Sequence, residues 1–280
     1  MSFFETLYQM LSYTFMQRAL IVGVLIALCS SLLGVSLVLK RYSMIGDGLS
    51  HVGFGTLAVA SALNLSAPLE LAVPVVIAAA FFLLKLSENS KIKGDSAIAI
   101  LSSSAMAIGI VVTSVSTGLN ADIENYLFGS ILAMSQQDMI MCIILAIVVI
   151  GMFILFYNRI FAVTFDETFA KATGTAANVY NMIIAVLTAL TIVIGMKIMG
   201  TLLISSLIIF PALTSMRVCK RFFTVIICSA VVAVVSFVGG IVTSYFFSTA
   251  AGATVVIVNL IFFLAFTAVQ KIRNAERINK

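Results

Sequence analysis

The sequence predicts an all-α polytopic membrane protein with about nine transmembrane helices, or eight if two of them are fused. Three observations predict it. The 280 residues are 62% hydrophobic and only 10% charged, with a mean hydropathy of +1.19. The apolar residues fall in runs of about 20, the length of a helical span. Short polar stretches separate the runs and hold most of the Lys and Arg. A soluble chain is about 45–50% apolar and roughly a quarter charged, so a soluble enzyme, a nucleic-acid binder and a disordered protein are excluded. No Pro/Ser-rich linker or internal repeat divides the chain, so residues 1–280 are expected to form one transmembrane domain.

The elements follow in order. Residues 2–17 mix Phe, Leu and Tyr with Glu5 and Gln9, the pattern of an interfacial helix. Spans are expected over 19–39, 44–63, 69–86, 97–117, 139–158, 176–195, 198–216, 223–246 and 252–270, with polar loops at 87–96 and 159–175. The first run has no small-residue cleavage site and is expected to be retained. The connections after the first, third, fifth and seventh spans and the tail after the ninth hold 14 of the 16 Lys and Arg. The positive-inside rule then places the N-terminus outside and the C-terminus in the cytoplasm. Fusing the sixth and seventh spans around Lys197 would spoil this alternation, so nine is the expected number. Lys197 is expected to snorkel outward.

The second span carries an unusual pair, Asp47 and His51, in a glycine-rich setting. At a spacing of four they share one helix face. A charge in hydrocarbon costs at least about 2.5–3.5 kcal/mol on insertion scales, so such groups face a partner or a wet cavity. Carboxylate with imidazole is a ligand pair suited to zinc, manganese or ferrous iron. The plainer alternative is that Asp47 caps its helix and His51 bonds a neighbouring carbonyl. Asp122 and Glu124 form a second acidic pair on the expected outer side. They serve an ion only on irregular backbone, and otherwise they are solvated loop acids.

The stretch from Phe165 to Gly174 reads as a short amphipathic helix on the cytoplasmic side. Asp166 suits its N-cap, Gly174 its stop, and Phe165 with Phe169 an apolar ridge. It either lies on the inner leaflet or acts as a docking peg for a cytoplasmic partner, with Glu167 beside the ridge. Pro211 is expected to kink the seventh span. Cys29, Cys142, Cys219 and Cys228 form no CxxC and are expected to be plain thiols, and the 13 Met residues are scattered as gap-fillers. No phosphate-binding loop, HExxH or GxSxG is present, so a catalytic role is not expected.

Five segments together resemble the permease subunit of the zinc/manganese ABC importer family, a type II importer. They are Gly34 to Arg41 running into Ile45-Gly-Asp47-Gly-Leu-Ser50-His51; Glu124-Asn-Tyr-Leu-Phe-Gly129-Ser130; Phe165-Asp166-Glu167 with Ala170 and Gly174; Met199-Gly-Thr-Leu-Leu203 through Phe210-Pro211-Ala212; and Ser244-Tyr245 before Gly252-Ala-Thr254. The Gly-rich surroundings of His51 depart mildly from the family pattern. The resemblance implies a non-catalytic, multi-pass permease of a bacterial plasma membrane that acts as a homodimer. It implies two cytoplasmic ABC ATPase subunits docked at Phe165, Asp166, Glu167, Phe169 and Gly174, and an extracellular metal-binding protein. It implies no permanently bound cofactor, and Asp47, His51, Asp122 and Glu124 as contacts for a transported divalent metal. The likeness leans to zinc, with manganese or ferrous iron as the alternative. A secondary cation transporter is the competing class, and it has no need of the peg.

Overall fold

The computed structural model describes residues 3–65, 68–89, 94–116, 127, 129 and 134–278. These residues form helices and no strand. α1 (Phe3–Ser12) precedes α2 (Thr14–Leu39), α3 (Ile45–Ala62), α4 (Pro68–Asn89) and α5 (Gly94–Val115). After them come α6 (Gln136–Leu155), α7 (Tyr157–Phe165), α8 (Glu167–Ala172), α9 (Ala177–Met199), α10 (Thr201–Val218), α11 (Phe222–Phe247) and α12 (Ala251–Ile278). α1 is the expected amphipathic segment. It buries Met10 and leaves Tyr8 exposed, and the chain turns at Tyr13 into the first span.

Eight of these helices are long and apolar enough to cross a membrane: α2, α4, α5, α6, α9, α10, α11 and α12. α3 falls short on composition because Asp47, His51 and four glycines interrupt its apolar residues. It does not need a lipid-compatible surface. Twelve of its 18 residues are buried, and it packs among α4, α5, α9 and α10. At 1.5 Å per residue it spans about 27 Å, which makes it the ninth membrane-length helix. Polar groups are tolerated there because protein, not lipid, surrounds most of the helix.

The sixth and seventh spans are separate. Gly200 joins α9 to α10 with φ of +83°, a backbone region that favours glycine. A Cβ placed on Gly195 would lie 2.6 Å from Cδ1 of Ile204. In one continuous helix those residues would be about 13.5 Å apart, so the chain reverses at Gly200 and the alternation of sides is kept. Pro211 sits inside an uninterrupted α10, so no break accompanies it.

Three expectations change. Residues 159–175 are not a polar loop; they are occupied by α7 and α8, because Asp166 ends one helix and caps the next. The basic tail is helical through Ile278, continuing the ninth span past its apolar part. Lys197 does not simply reach outward. Its Nζ donates to Oδ1 of Asp138 at 2.8 Å, and Asp138 completes a capping box with Ser135 at the start of α6. All four cysteines are free thiols.

Candidate metal path and docking helix

Asp47 lies in the first turn of α3, six residues beyond Arg41. The N-cap of α3 is Met44, and no side chain caps it, so Asp47 is not spent on capping. Its Oδ2 faces Nε2 of His51 at 3.6 Å, too long for a good hydrogen bond. The Asp47 side chain is 41% exposed and that of His51 18%, so the pair opens towards the outside of this chain. His51 does not bond a neighbouring carbonyl. Its Nδ1 is buried and has no hydrogen-bond partner among the described residues.

Helix α10 supplies a group that the sequence reading missed. Ser205 Oγ lies 3.4 Å from Ser50 Oγ, three residues along α3 from Asp47. Ser50 donates to the carbonyl of Gly46 at 2.7 Å and Ser205 to that of Thr201 at 2.9 Å. Each hydroxyl thus gives its proton to its own helix and keeps only acceptor capacity. Ser205 could be found from sequence only as one serine among many in apolar runs, where bonding to the i−4 carbonyl is the ordinary use. Among the described residues no three His, Cys, Asp or Glu side chains gather as a metal cage. Asp122 and Glu124 lie outside the described residues. Gly129, just after them, packs against the Met199–Gly200 backbone, and Thr201 Oγ1 donates to the Leu127 carbonyl at 3.4 Å. Leu127 and Gly129 therefore meet the α9–α10 hairpin, at the end of α9 opposite α8.

At the other end, Asp166 is the N-cap of α8 and accepts from the Phe169 amide at 2.9 Å. The helix stops in a Schellman turn. The Gly174 amide bonds the Lys171 carbonyl at 3.1 Å and the Thr175 amide the Ala170 carbonyl at 2.9 Å, with Gly174 at φ +81°. The expected Phe165–Phe169 ridge does not form on one helix. Phe165 ends α7 and packs with Phe161 and Phe222, ring centroids 4.9 and 5.7 Å away. Phe169 projects alone, 64% exposed. Glu167 is bound on its inner side. Lys171 Nζ lies 2.8 Å from Oε1, and Asn181 Nδ2 and Lys40 Nζ lie 2.9 and 3.4 Å from Oε2. Burial alone would raise its carboxyl, but these hydrogen bonds and the Lys40 and Lys171 charges hold it at about 2.

A bundle of membrane-length helices with an ionisable pair at the start of an enclosed helix is the architecture of a multi-pass membrane protein. The chain belongs to the ABC 3 transport family, whose pattern matches residues 12–270. It is 32% identical over 272 residues to the manganese transport system membrane protein MntC of Listeria monocytogenes, covering 97% of this chain and 95% of that one. It is 30% identical over 223 residues to the high-affinity zinc uptake system membrane protein ZnuB of Haemophilus influenzae, covering 80% and 85%. Among solved structures, PsaBC from Streptococcus pneumoniae in complex with Fab superposes with a TM-score of 0.84 at 30% identity, covering 95% of each chain. The permease assignment drawn from the five segments holds. Relatives named for manganese and for zinc stand side by side, so likeness does not choose between the metals.

Proposed function

We propose that this chain is the membrane-spanning, non-catalytic subunit of an ATP-driven importer that passes a divalent transition metal to the cytoplasm through a site containing Asp47 and His51. The observation that carries the proposal is the geometry of that pair. Around a tetrahedral zinc with bonds of about 2.0–2.2 Å, two donors lie about 3.4 Å apart. The facing oxygen and nitrogen stand at 3.6 Å, already near that spacing. A resident metal site fixes its histidine through the second ring nitrogen. The unpartnered Nδ1 leaves His51 a weaker ligand, which suits an ion that must leave again. Among the described residues the pair supplies too few donors for a closed shell, and the exposed side of Asp47 suits a path shared with a second copy. Two ATPases docked at α8 and an extracellular metal-binding protein complete the system, with Asp122 and Glu124 nearer the outer mouth.

Zinc is the cargo favoured by an imidazole donor and by its higher place in the affinity series. Manganese is the second reading, favoured by the name and coverage of the Listeria relative. The test is uptake of radiolabelled zinc and manganese by the importer reconstituted with its ATPase and binding protein. Zinc uptake that excess manganese does not compete supports zinc. Manganese uptake that excess zinc does not compete reverses the choice, and uptake of neither removes the metal reading.

A further inference from the structure

We infer that Lys40 and Asn181 are coupling residues: they clamp the docking helix to the root of the metal-bearing helix, so that displacement of α8 displaces Asp47. The inference rests on the docking role of α8 proposed above and adds the route by which that docking is felt.

The clamp is a closed ring of three side chains from three helices. Lys40 Nζ donates to the Asn181 carbonyl oxygen, the Asn181 amide donates to Glu167 Oε2 at 2.9 Å, and Lys40 lies 3.4 Å from the same Oε2. Both ends of the Asn181 amide are therefore used, which fixes its orientation. The Lys40 side chain is only 11% exposed. A buried ammonium does not readily give up its partners, because breaking such a pair leaves an uncompensated charge. Glu167 belongs to α8 itself, so the docking helix cannot shift without pulling on α2 and α9 or breaking the ring.

No slack separates Lys40 from the metal ligands. Lys40 is the C-cap of α2, and Arg41 follows at φ +63°. The Arg41 amide bonds the Val38 carbonyl at 3.1 Å, and the Tyr42 amide bonds that of Leu37 at 2.9 Å, a closed Schellman turn. The Ile45 amide then bonds the Tyr42 carbonyl at 3.0 Å, and α3 begins. Asp47 sits in its first turn. The second branch runs through Asn181 on α9, whose hairpin at Gly200 leads into α10, where Ser205 Oγ lies 3.4 Å from Ser50 Oγ of α3. Both branches end on the first two turns of α3, which carry Asp47. A surface ion pair would do little here; the ring adds a buried, charge-assisted tie between α8, α9 and the end of α2, where α8 otherwise rests on the small apolar contact of Ala170 with Val163 and Ala177.

The test uses the full complex in liposomes: permease, its ATPase and the metal-loaded binding protein. Lys40→Met keeps the aliphatic stem and removes the charge; Lys40→Arg keeps the charge. Lys40→Met is expected to retain its ATPase on purification and to hydrolyse ATP without binding protein at the native rate. Stimulation by metal-loaded binding protein and metal uptake should both fall at least tenfold, and Lys40→Arg should recover at least half of each. Asn181→Leu, which removes the bridging amide at similar volume, should fall in the same direction by a smaller factor. It is read in the same way if Lys40→Met does not assemble. Stimulation and uptake within twofold of native in the assembled variants overturn the clamp. Loss of the ATPase from them also overturns it, because the residues then act in docking itself. Failure of the docking reading is seen separately, as a Phe169→Asp permease that still holds its ATPase.

Discussion

Two polar clusters near the start of α3 treat their groups in opposite ways. At the Asp47–His51 pair, one ring nitrogen is buried without a partner and the carboxylate lies 3.6 Å from the imidazole. At Glu167, three donors converge on one carboxylate, and the bridging asparagine uses both ends of its amide. An incompletely satisfied polar group is costly when left alone, about 1–3 kcal/mol, and is tolerated where a ligand comes to complete it. A saturated one gains nothing from a ligand but holds its elements at fixed distance. The difference teaches that one cluster is open to a further ligand and the other is closed.

The largest expected effect breaks the first half of this comparison. Asp47→Asn keeps the volume and removes the charge, and His51→Ala removes the nitrogen donor. Each should lower metal uptake at least about 100-fold, since loss of outer-shell partners alone costs 10–100-fold at metal sites. Assembly with the ATPase should be unaffected. Transport retained by both single variants would leave the pair a packing feature.

The second effect breaks the other half. Phe169 is a large apolar ring exposed on a six-residue helix, the form of an anchor that fills a partner's pocket. Phe169→Asp should weaken retention of the ATPase on purification by about 30-fold, an anchor loss of about 2 kcal/mol. The folded permease should elute unchanged. Co-purification at the native ratio would show that the ring meets lipid instead.

Much of the fold was legible because lipid imposes it. Runs of about 20 apolar residues and basic loops leave little choice of element or side. The docking helix was legible at its ends, through Asp166 and Gly174, since capping is local chemistry. Its apolar ridge was not, because Asp166 breaks the helix between Phe165 and Phe169, and a spacing of four means one face only within one helix. The Asp47–His51 pair was legible as two ionisable groups on one helix face. The positions of Ser205 and Asn181 were not, for their partners lie 155 and 14 residues away along the chain. The polarity of α3 was visible, but not that protein encloses it.

A third, smaller effect compares a glycine in the middle of α3 with one at the turn after α8. A Cβ on Gly55 would run into the backbone oxygen of Ala105, where α3 packs against α5. Gly55→Ala should force the helices apart and destabilise the permease by about 1–3 kcal/mol. Gly174 has nothing within 4 Å of such a Cβ, so Gly174→Ala meets only its left-handed backbone, about 1–2 kcal/mol, felt locally at the docking turn. Thermal unfolding in detergent should fall more for Gly55→Ala, whereas ATPase retention should fall more for Gly174→Ala. Equal losses of both kinds in both variants would mean that the two regions do not behave independently.

The smallest expected effect is a change withheld until low pH. The Glu167 carboxyl is held at about 2 in the folded chain, below the ordinary glutamate value of about 4.3. A depressed folded value means that the native state binds fewer protons than the unfolded state between the two values. The stabilisation is therefore complete above the unfolded value and is lost as pH falls through the folded one. From pH 8 to pH 5 the Glu167 ring should contribute the same stability. Between about pH 4.5 and 2 that contribution should drain away. Glu167→Gln has no proton to gain there, so native and variant stabilities should differ by a constant amount above pH 5 and converge only in the acid range. Uptake has a different reason to depend on pH, because protons compete with a metal for carboxylate and imidazole. It should therefore decline at a pH where the stability difference is still flat. Should the stability difference between native and Glu167→Gln instead stay flat down to pH 2, Glu167 would bind protons alike in the folded and unfolded chains and the saturated side of the comparison would be lost.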